Sequence, residues 1–287
     1  MSLLRTKAGT VLAAATLLGA TACAGSTSDA DVATTRAPSS ADTSASSAAP
    51  SASASSSTPP RTPRVGECYR MDYGDATAAV SDDQPVDCSQ PHTTQTAYVG
   101  TIDPYQDGHL LAVDSDRVQQ RIAQACPAKV DAYVGGDTEQ RRLSRVRAIW
   151  FSPTLQQSDA GASWYRCDAV AVRSEDTLAS LPTRMKDALG TPRGDKLATC
   201  GTAAPDKPAF KRVTCDQKHT WEAISSVDLP EDAAYLGKAA GKDADARCKD
   251  EAADRADDPL SFTWSFQWPT KEDWQSGQRW GLCWVPS

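Results

Sequence analysis

The stretch Val86-Asp87-Cys88-Ser89-Gln90-Pro91-His92-Thr93 decides the organisation of this chain, because it returns as Val213-Thr214-Cys215-Asp216-Gln217-Lys218-His219-Thr220. Both copies fit the frame Val-x-Cys-x-Gln-x-His-Thr. A second correspondence lies ahead of the last cysteine of each copy. A Pro-Thr pair, a Gly and a Trp stand 14, 13, 6 and 3 residues before Cys167, and again before Cys283. We therefore predict two similar modules in tandem.

One principal helix is predicted in each module. Apolar residues recur every four positions, which keeps them on roughly one face of a helix and turns its cysteine toward a core. These positions are Val118, Ile122, Cys126, Val130 and Val134 in the first module, and Leu236, Ala240, Ala244, Cys248 and Ala252 in the second. Pro127 is expected to kink the first helix or to start a second segment.

Strands are expected on both sides of each helix. The first cysteine of a module and the Val-x-Cys element should each lie on a strand, and β-branched and aromatic residues mark the others. These others are Thr94–Ile102, Val146–Ser152 and Ser163–Val172 in the first module, and Trp221–Leu229, Phe262–Trp268 and Arg279–Val285 in the second. The segment from Pro-Thr to Gly is predicted to be the hairpin loop between the closing strands.

The predicted fold class is therefore α+β. It has two tandem modules, 65–173 and 196–287, each with a mainly antiparallel sheet, one principal helix and two disulfides. Residues 174–195 are predicted to form a linker, with a short helix at Leu178–Leu189.

Residues 1–22 have the pattern of a bacterial signal peptide. After a short basic start, the uncharged stretch 8–21 has a length that suits a signal peptide and is short for a membrane span. Ala20-Thr21-Ala22 before Cys23 resembles the lipobox of bacterial lipoproteins, which prefers Leu where Ala20 stands. This resemblance implies lipid on the Cys23 thiol and a protein anchored on the extracytoplasmic face of the cell membrane. The alternative is a secreted protein cut near Ala22.

The next segment, 23–64, is predicted to be a disordered tether behind the lipidated cysteine. From Ala24 to Arg64 it is rich in Ser, Ala, Thr and Pro and contains no Leu, Ile, Phe, Trp or Tyr. Such a segment cannot bury enough apolar surface to offset its ordering entropy. As a flexible coil it would span about 35 Å.

The remaining 65–287 region is acidic. It holds 25 of the 30 basic residues and 34 of the 37 acidic ones, so its net charge is 25 − 34 = −9. A negative domain is a poor electrostatic match for nucleic acid. We therefore expect no nucleic-acid partner.

Eight of the nine cysteines form two sets of four with the same order of gaps, and the ninth is Cys23. An even number behind an export signal is typical of a disulfide framework, and no Cys-x-x-Cys supports a metal site. Four cysteines allow three pairings in each module. We favour sequential pairing, because it joins the first two strands and ties the helix to the last strand. The predicted bridges are Cys68–Cys88, Cys126–Cys167, Cys200–Cys215 and Cys248–Cys283.

These motifs together resemble one known family. Val65-Gly66-Glu67-Cys68-Tyr69, the Val86–His92 element and the closing Pro-Thr…Gly…Trp…Cys segment are similar to the septum-formation-related domain of actinobacterial membrane proteins and lipoproteins. The resemblance covers most of 65–287 as two copies, and it implies an association with cell division. The second copy departs from it at Lys218, which replaces Pro91, and at Leu197-Ala198-Thr199-Cys200, which replaces the Gly-Glu-Cys start.

His92 and His219 are candidate site residues because they occupy equivalent positions, four residues after a cysteine. In one interpretation they act as a pair, as ligands or as acid/base groups. In the other, they are turn residues that form a hydrogen bond beside a disulfide. A repeat duplicates structural residues readily, which favours the turn.

Trp264, Trp268 and Trp274 are the second set of candidates, because they have no Trp counterpart in the first module. They would form an aromatic platform for a glycan or a protein. Core packing is the alternative, since aromatic rings supply much of the burial of a small module.

We interpret the chain as a non-catalytic binding or scaffold lipoprotein of the cell envelope. Its expected partner is an envelope or division protein, or the cell-wall polymer, and no cofactor or metal is expected. No nucleophile elbow, zinc-protease helix or phosphate-binding loop appears in the sequence. Two alternatives stay open: a wall hydrolase, which needs only two carboxylates, and an extracytoplasmic sensor or inhibitor.

Overall fold

A computed structural model describes residues 60–231, 234–235 and 242–287, which belong to one compact unit. The predicted signal peptide, Cys23 and nearly all of the tether lie outside the described residues. So do Leu236 and Ala240 of the second helical pattern.

The described part is α+β with antiparallel sheets, as the sequence predicts. The first module contains β1 (Cys68–Tyr69), α1 (Tyr73–Ala76), β2 (Thr94–Thr101), β3 (Tyr105–Gln106), β4 (His109–Leu110), α2 (Asp116–Val134), α3 (Thr138–Leu143), β5 (Val146–Phe151), α4 (Leu155–Asp159) and β6 (Trp164–Ser174). Its sheet has the order β1-β2-β6-β5, and β3 pairs with β4 as a separate hairpin. The Val-x-Cys element contributes one bridge, between Cys68 and Val86, where a full strand was expected.

The second half also contains an antiparallel sheet and one principal helix. After β7 (Thr177–Leu178) and α5 (Pro192–Asp195) come β8 (Thr199–Gly201), β9 (Arg212–Thr214), β10 (Trp221–Asp228), α6 (Lys242–Arg255), β11 (Ser265–Gln267), α7 (Lys271–Gln275) and β12 (Trp280–Pro286). β7 pairs with β6 of the first sheet, and the second sheet has the order β11-β12-β10-β8-β9.

The long central strands share an irregularity in register. Thr96 lies opposite Asp168, and after a bulge Tyr98 lies opposite Cys167. In the second sheet, Ala223 lies opposite Trp284, and after a bulge Ser225 lies opposite Cys283. A bulge adds one residue to one strand and bends it. Both sheets therefore bend at the same point relative to the last cysteine.

The Pro-Thr segment is more ordered than the predicted hairpin loop. Thr154 caps α4 in a capping box with Gln157, and Thr270 caps α7 in a capping box with Asp273. A threonine at the N-cap with an acidic or amide residue three positions later satisfies two backbone donors at a helix start. The same two positions therefore start a short helix in both modules.

One principal helix packs on each sheet, and a disulfide joins the helix to that sheet. α2 contacts β2, β5 and β6, and α6 contacts β10, β11 and β12. Cys126 of α2 is bonded to Cys167, and Cys248 of α6 is bonded to Cys283. With Cys68–Cys88 and Cys200–Cys215, these are the sequential pairs that the sequence predicts.

Pro127 does not divide the first helix, because α2 runs continuously from Asp116 to Val134 with Pro127 inside it. The five apolar positions of the predicted stripe are all buried. A proline in a helix removes one backbone hydrogen bond, and the burial of this whole face offsets that loss. Gly135 ends the helix with a positive φ of 73°, a conformation that favours glycine.

The predicted helix at Leu178–Leu189 is wrong. The segment is mostly irregular, and Leu181, Met185 and Leu189 are buried in the core of the first module. The backbone N–H of Leu189 donates to Val134, at 3.0 Å between nitrogen and oxygen. A proline at position 182 opposes a helix here, and the backbone groups are satisfied by partners far away in the sequence.

Candidate binding site

The two histidines make the same local hydrogen bond. The Nδ1 atom of His92 lies 2.9 Å from the carbonyl oxygen of Gln90, and that of His219 lies 2.7 Å from the carbonyl oxygen of Gln217. Because a carbonyl oxygen only accepts, Nδ1 carries the proton and donates in both cases. Each imidazole therefore closes the turn that follows a disulfide, which is the structural interpretation of the repeated histidine.

The environments of the two rings differ. His92 is 2% exposed and its Nε2 atom has no partner among the described residues, whereas His219 is half-buried. Neither is within a group of His, Cys, Asp or Glu that could hold a metal ion in the described part of the chain. No contact among the described residues supports a ligand role for the histidines, so that role stays a prediction.

Trp264 and Trp268 lie together in one open groove on the second module. The groove has a volume of about 510 Å³, and Trp221 and Phe266 also contribute to its wall. Trp221 comes from the start of β10, whereas the other three aromatic residues come from the segment that contains β11. The two sides of the groove are therefore supplied by different strands of one sheet.

The tryptophans of this groove are half-buried, so they are neither a bare platform nor part of the core alone. Trp264 and Trp268 pack against the core of the second module and still reach the surface. The Trp268 ring meets Phe266 edge to face, with 4.8 Å between ring centroids. Such a contact fixes the ring, so the groove presents pre-oriented aromatic surface.

Polar groups border the aromatic wall. Asp206, Lys207 and Asp245 line the same groove, and the Lys207 ammonium pairs with the Asp206 carboxylate at 3.0 Å. Aromatic and polar side chains therefore face the same groove in comparable measure, which suits a ligand that carries hydroxyl or amide groups as well as apolar surface.

Trp274 does not belong to this groove. It lies on α7, where the Arg279 guanidinium sits 4.1 Å from the centre of its ring and Tyr235 packs beside it at 5.8 Å. The structure thus brings together two of the three predicted tryptophans and adds Trp221. The β-branched and aromatic pattern of β10 marked Trp221 as a strand residue, but only the three-dimensional fold brings it to the same groove as Trp264.

A second recess, which the sequence analysis did not identify, lies between the two modules. The Glu139 carboxylate accepts hydrogen bonds from the backbone N–H and the hydroxyl of Ser226, and the Arg142 guanidinium pairs with Asp228 at 2.8 Å. The backbone N–H of Arg145 donates to Leu197 at 2.7 Å. These contacts hold α3 and the start of β5 against the second sheet, around a cluster of arginines.

None of the described helices is both long enough and apolar enough to cross a membrane. A family model described as Septum formation matches residues 65–283 in one stretch, which spans both modules. No curated protein and no solved structure shows a significant match. That each module is by itself a copy of the family's domain stays a prediction.

Proposed function

Because the chain belongs to the septum-formation family, we propose that it is a non-catalytic binding or scaffold protein of the cell envelope that acts in septum formation. Family membership supports the link with septum formation. The pattern of residues 1–22 supports export, and Cys23 supports a lipid anchor on the outer face of the cytoplasmic membrane. Membrane fractionation of a Cys23→Ala variant tests the anchor, since a protein that stays in the membrane fraction would contradict it.

The observation that carries the binding proposal is the groove formed by Trp221, Trp264 and Trp268. Half-buried aromatic rings fixed against a core lose little conformational entropy on binding, which is why such residues dominate binding energies. The proposed partner is the cell-wall polymer or an extended segment of an envelope or division protein.

We further propose that the two modules arose by duplication. The repeated bulge, the paired capping boxes and the equivalent histidine bonds support this origin. The groove belongs to the second module only, since Trp264 and Trp268 have no Trp counterpart in the first. A duplicated framework with one specialised copy is consistent with a binding role for the second module.

The test measures binding of the purified full-length protein to washed peptidoglycan and to solubilised envelope proteins. Trp264→Ala and Trp268→Ala are each expected to weaken binding by about tenfold or more, since aromatic anchors typically contribute at least 1–2 kcal/mol. Trp274→Ala is the matched control, because Trp274 packs against the same core but lies outside the groove. It should leave binding unchanged.

Three outcomes separate the proposals. Loss of binding in the two groove variants alone supports the groove. Equal loss in all three variants would locate the binding elsewhere on the second module. Release of soluble fragments from peptidoglycan by the unmodified protein would replace the scaffold with a wall hydrolase.

A further inference from the structure

Five arginines line a small cavity between the two modules. The cavity has a volume of about 140 Å³. Arg141 and Arg142 come from α3, Arg145 and Arg147 from the start of β5 or just before it, and Arg212 from β9. The first four lie within seven residues of sequence, and the fold of the second module adds the fifth.

Two of these arginines have acidic partners. Arg142 pairs with Asp228 at 2.8 Å and also lies 5.2 Å from the centre of the Trp280 ring. Arg141 lies 3.7 Å from the Asp131 carboxylate. Their charges are balanced within the protein.

The other three, Arg145, Arg147 and Arg212, have no carboxylate within 4.0 Å among the residues that the structure describes. Arg145 donates from Nε to the Val172 carbonyl at 2.9 Å, and Arg212 donates from Nε and Nη2 to the Gln267 side-chain oxygen at 3.0 and 2.8 Å. These acceptors are neutral, so they hold the guanidiniums without cancelling their charge.

Arg147 is held in a similar way. Its Nη1 atom donates to the carbonyls of Ser144 and Val146, at 3.1 and 2.6 Å. A guanidinium has five N–H donors, and these bonds leave donors of all three arginines without an acceptor in the part of the protein that the structure describes. Arg147 is accessible to solvent, and it lines the cavity wall. Its remaining donors are therefore available to a ligand.

Burial and neighbouring positive charges both lower pKa values in this cluster. Burial, together with the charges of Arg147 and Arg212, lowers the pKa of Arg145 from its usual value to about 10. Burial is also the main cause that lowers the pKa of Arg212, and the Asp273 charge opposes this lowering. Three like charges thus line one small cavity.

The surroundings make this cluster unusual. The 65–287 region carries nine more acidic than basic residues, 34 against 25, yet none of the acids that the structure describes is paired with the three guanidiniums. Because Arg145 is buried, its charge is costly to hold without a counter-charge, and the exposed Arg147 beside it is open to one. A bound anion would supply that counter-charge.

A larger cavity adjoins the arginines. Its volume is about 550 Å³, and it shares Arg141, Arg142, Arg147 and Trp280 with the smaller one. Apolar side chains of α2, including Val130 and Val134, form much of its wall. A ligand with an anionic end could place that end among the guanidiniums and its remaining part along this wall.

We propose that the cleft between the modules binds a phosphate group, held by Arg145, Arg147 and Arg212, as the anionic end of a ligand that extends into the larger cavity. A phosphate has several acceptor oxygens in a tetrahedral arrangement, so it can accept from several guanidiniums at once. Arginine is suited to this role because its planar fork matches phosphate geometry and keeps its charge. The site is separate from the aromatic groove and does not depend on it.

The experiment is isothermal titration of the full-length protein at constant ionic strength, with inorganic phosphate, methyl phosphate and acetate as the probes. Both phosphates are expected to bind at least about tenfold more tightly than acetate, because a phosphate carries more negative charge near neutral pH and has a third acceptor oxygen for a further charged hydrogen bond. Arg147→Gln should weaken phosphate binding by about tenfold or more. Arg117→Gln is the matched control, because Arg117 is exposed, pairs with Asp107 and lines neither cavity.

Arg212→Gln is a second variant, from the other module, and it should show the same loss. Circular dichroism checks that each variant is folded. Phosphate binding that is no tighter than acetate binding, or that is equal in Arg147→Gln, Arg212→Gln and Arg117→Gln, would overturn the proposal. Trp264→Ala should leave phosphate binding unchanged, so failure at one site is distinguishable from failure at the other.

Vesicles identify the source of the phosphate. The vesicle test uses the Cys23→Ala protein, which lacks the proposed lipid anchor. Its binding to phosphatidylcholine vesicles only when they contain phosphatidic acid, and the loss of that binding when Arg147→Gln is added, would support a lipid headgroup. Methyl phosphate binding without vesicle binding would support a soluble or polymer-borne phosphate.

Discussion

The closing strands of the two modules place opposite chemistry at equivalent positions. In the first module, Arg166 and Asp168 flank Cys167, and their side chains are 2% and 0% exposed. In the second, Leu282 and Trp284 flank Cys283 and are 2% and 0% exposed. An ion pair in one core thus corresponds to two large apolar side chains in the other.

The ion pair is surrounded by aromatic rings. Arg166 and Asp168 are 3.2 Å apart, between Nε and Oδ2. The Arg166 guanidinium lies 3.7 Å from the centre of the Tyr69 ring and 4.6 Å from that of Phe151. Burial raises the pKa of the Asp168 carboxyl, and the Arg166 charge opposes the rise. The pair is therefore kept at a desolvation cost.

The second module fills the same space with one indole. Gly201 stands where the first module has Tyr69, each next to the first cysteine of its module. A Cβ atom on Gly201 would lie 3.1 Å from the Trp284 ring and 2.8 Å from Phe210, so the small residue is needed for the close approach of Trp284. Phe210 meets Trp284 edge to face, at 5.2 Å between centroids.

This difference shows that two parts of each module can change independently. We call the strands, the bulge and the disulfides the frame, and the buried side chains between them the filling. The strand register, the bulge and the two disulfides are the same in both, while the core chemistry changes as a set. A buried ion pair can often be replaced by apolar residues of similar volume without loss of stability, whereas one charge cannot be removed alone. The modules should therefore respond alike to changes in the frame and differently to changes in the filling.

The largest expected effect concerns the frame. Removing Cys126–Cys167 or Cys248–Cys283, by changing both cysteines to Ala, should lower the free energy of unfolding by about 4 kcal/mol in each case. The two bridges close similar stretches, with sequence separations of 41 and 35 residues, so their entropic contributions are nearly equal. Urea denaturation measures both.

The single-cysteine variants are unsuitable controls, because they leave a reactive thiol. The other pair of bridges, Cys68–Cys88 and Cys200–Cys215, provides the comparison, since it closes shorter separations of 20 and 15 residues. A cost that differs by more than about 2 kcal/mol between Cys126–Cys167 and Cys248–Cys283 would show that the two frames are not equivalent, since chain entropy predicts a much smaller difference.

The next effect concerns the filling of the first module. Asp168→Ala leaves the Arg166 charge buried without its partner, which should cost about 3 kcal/mol of unfolding free energy. The double variant Arg166→Leu with Asp168→Ala removes both charges and should cost less than the single change. Urea denaturation of the two variants at neutral pH gives the difference.

A double variant less stable than Asp168→Ala would contradict this interpretation. It would mean that the stacking of Arg166 on Tyr69 and Phe151 stabilises the core even when the carboxylate is absent. Leu282→Ala in the second module is the reference for an apolar loss, with an expected cost of about 2–5 kcal/mol.

The sequence predicted those parts of the fold that depend on residues close to one another along the chain. The predicted Thr94–Ile102 and Trp221–Leu229 strands are observed as Thr94–Thr101 and Trp221–Asp228, because β-branched and aromatic residues mark them locally. The helix at Leu178–Leu189 was wrong because its apolar residues pack on distant elements of the first module. Tertiary contacts overrode a local pattern there.

The candidate sites, like the fold, could be predicted from the sequence only in part. Trp264 and Trp268 could be selected from the sequence because they break the repeat, but only the three-dimensional fold separates them from Trp274 and joins them to Trp221. The run from Arg141 to Arg147 was not selected from the sequence, because exposed positive charge is common on helices and strand starts. The run forms a cluster only together with Arg212, which is far from it in the sequence. Arg212 reaches the cavity through the contact between the modules, so no local sequence pattern connects the two.

The smallest effect tests whether the repeated histidines belong to the frame. His92→Ala should lower the free energy of unfolding by about 2 kcal/mol, because it removes a buried ring and its bond to Gln90, whereas His219→Ala removes a similar bond at a half-exposed site and should cost about 1 kcal/mol. Urea denaturation measures both, and peptidoglycan and envelope binding are measured on the same samples. Both folded variants should bind as the unmodified protein does. A variant that keeps its stability but loses binding would make that histidine part of a site, and the equivalence of the two turns would then reflect a shared function.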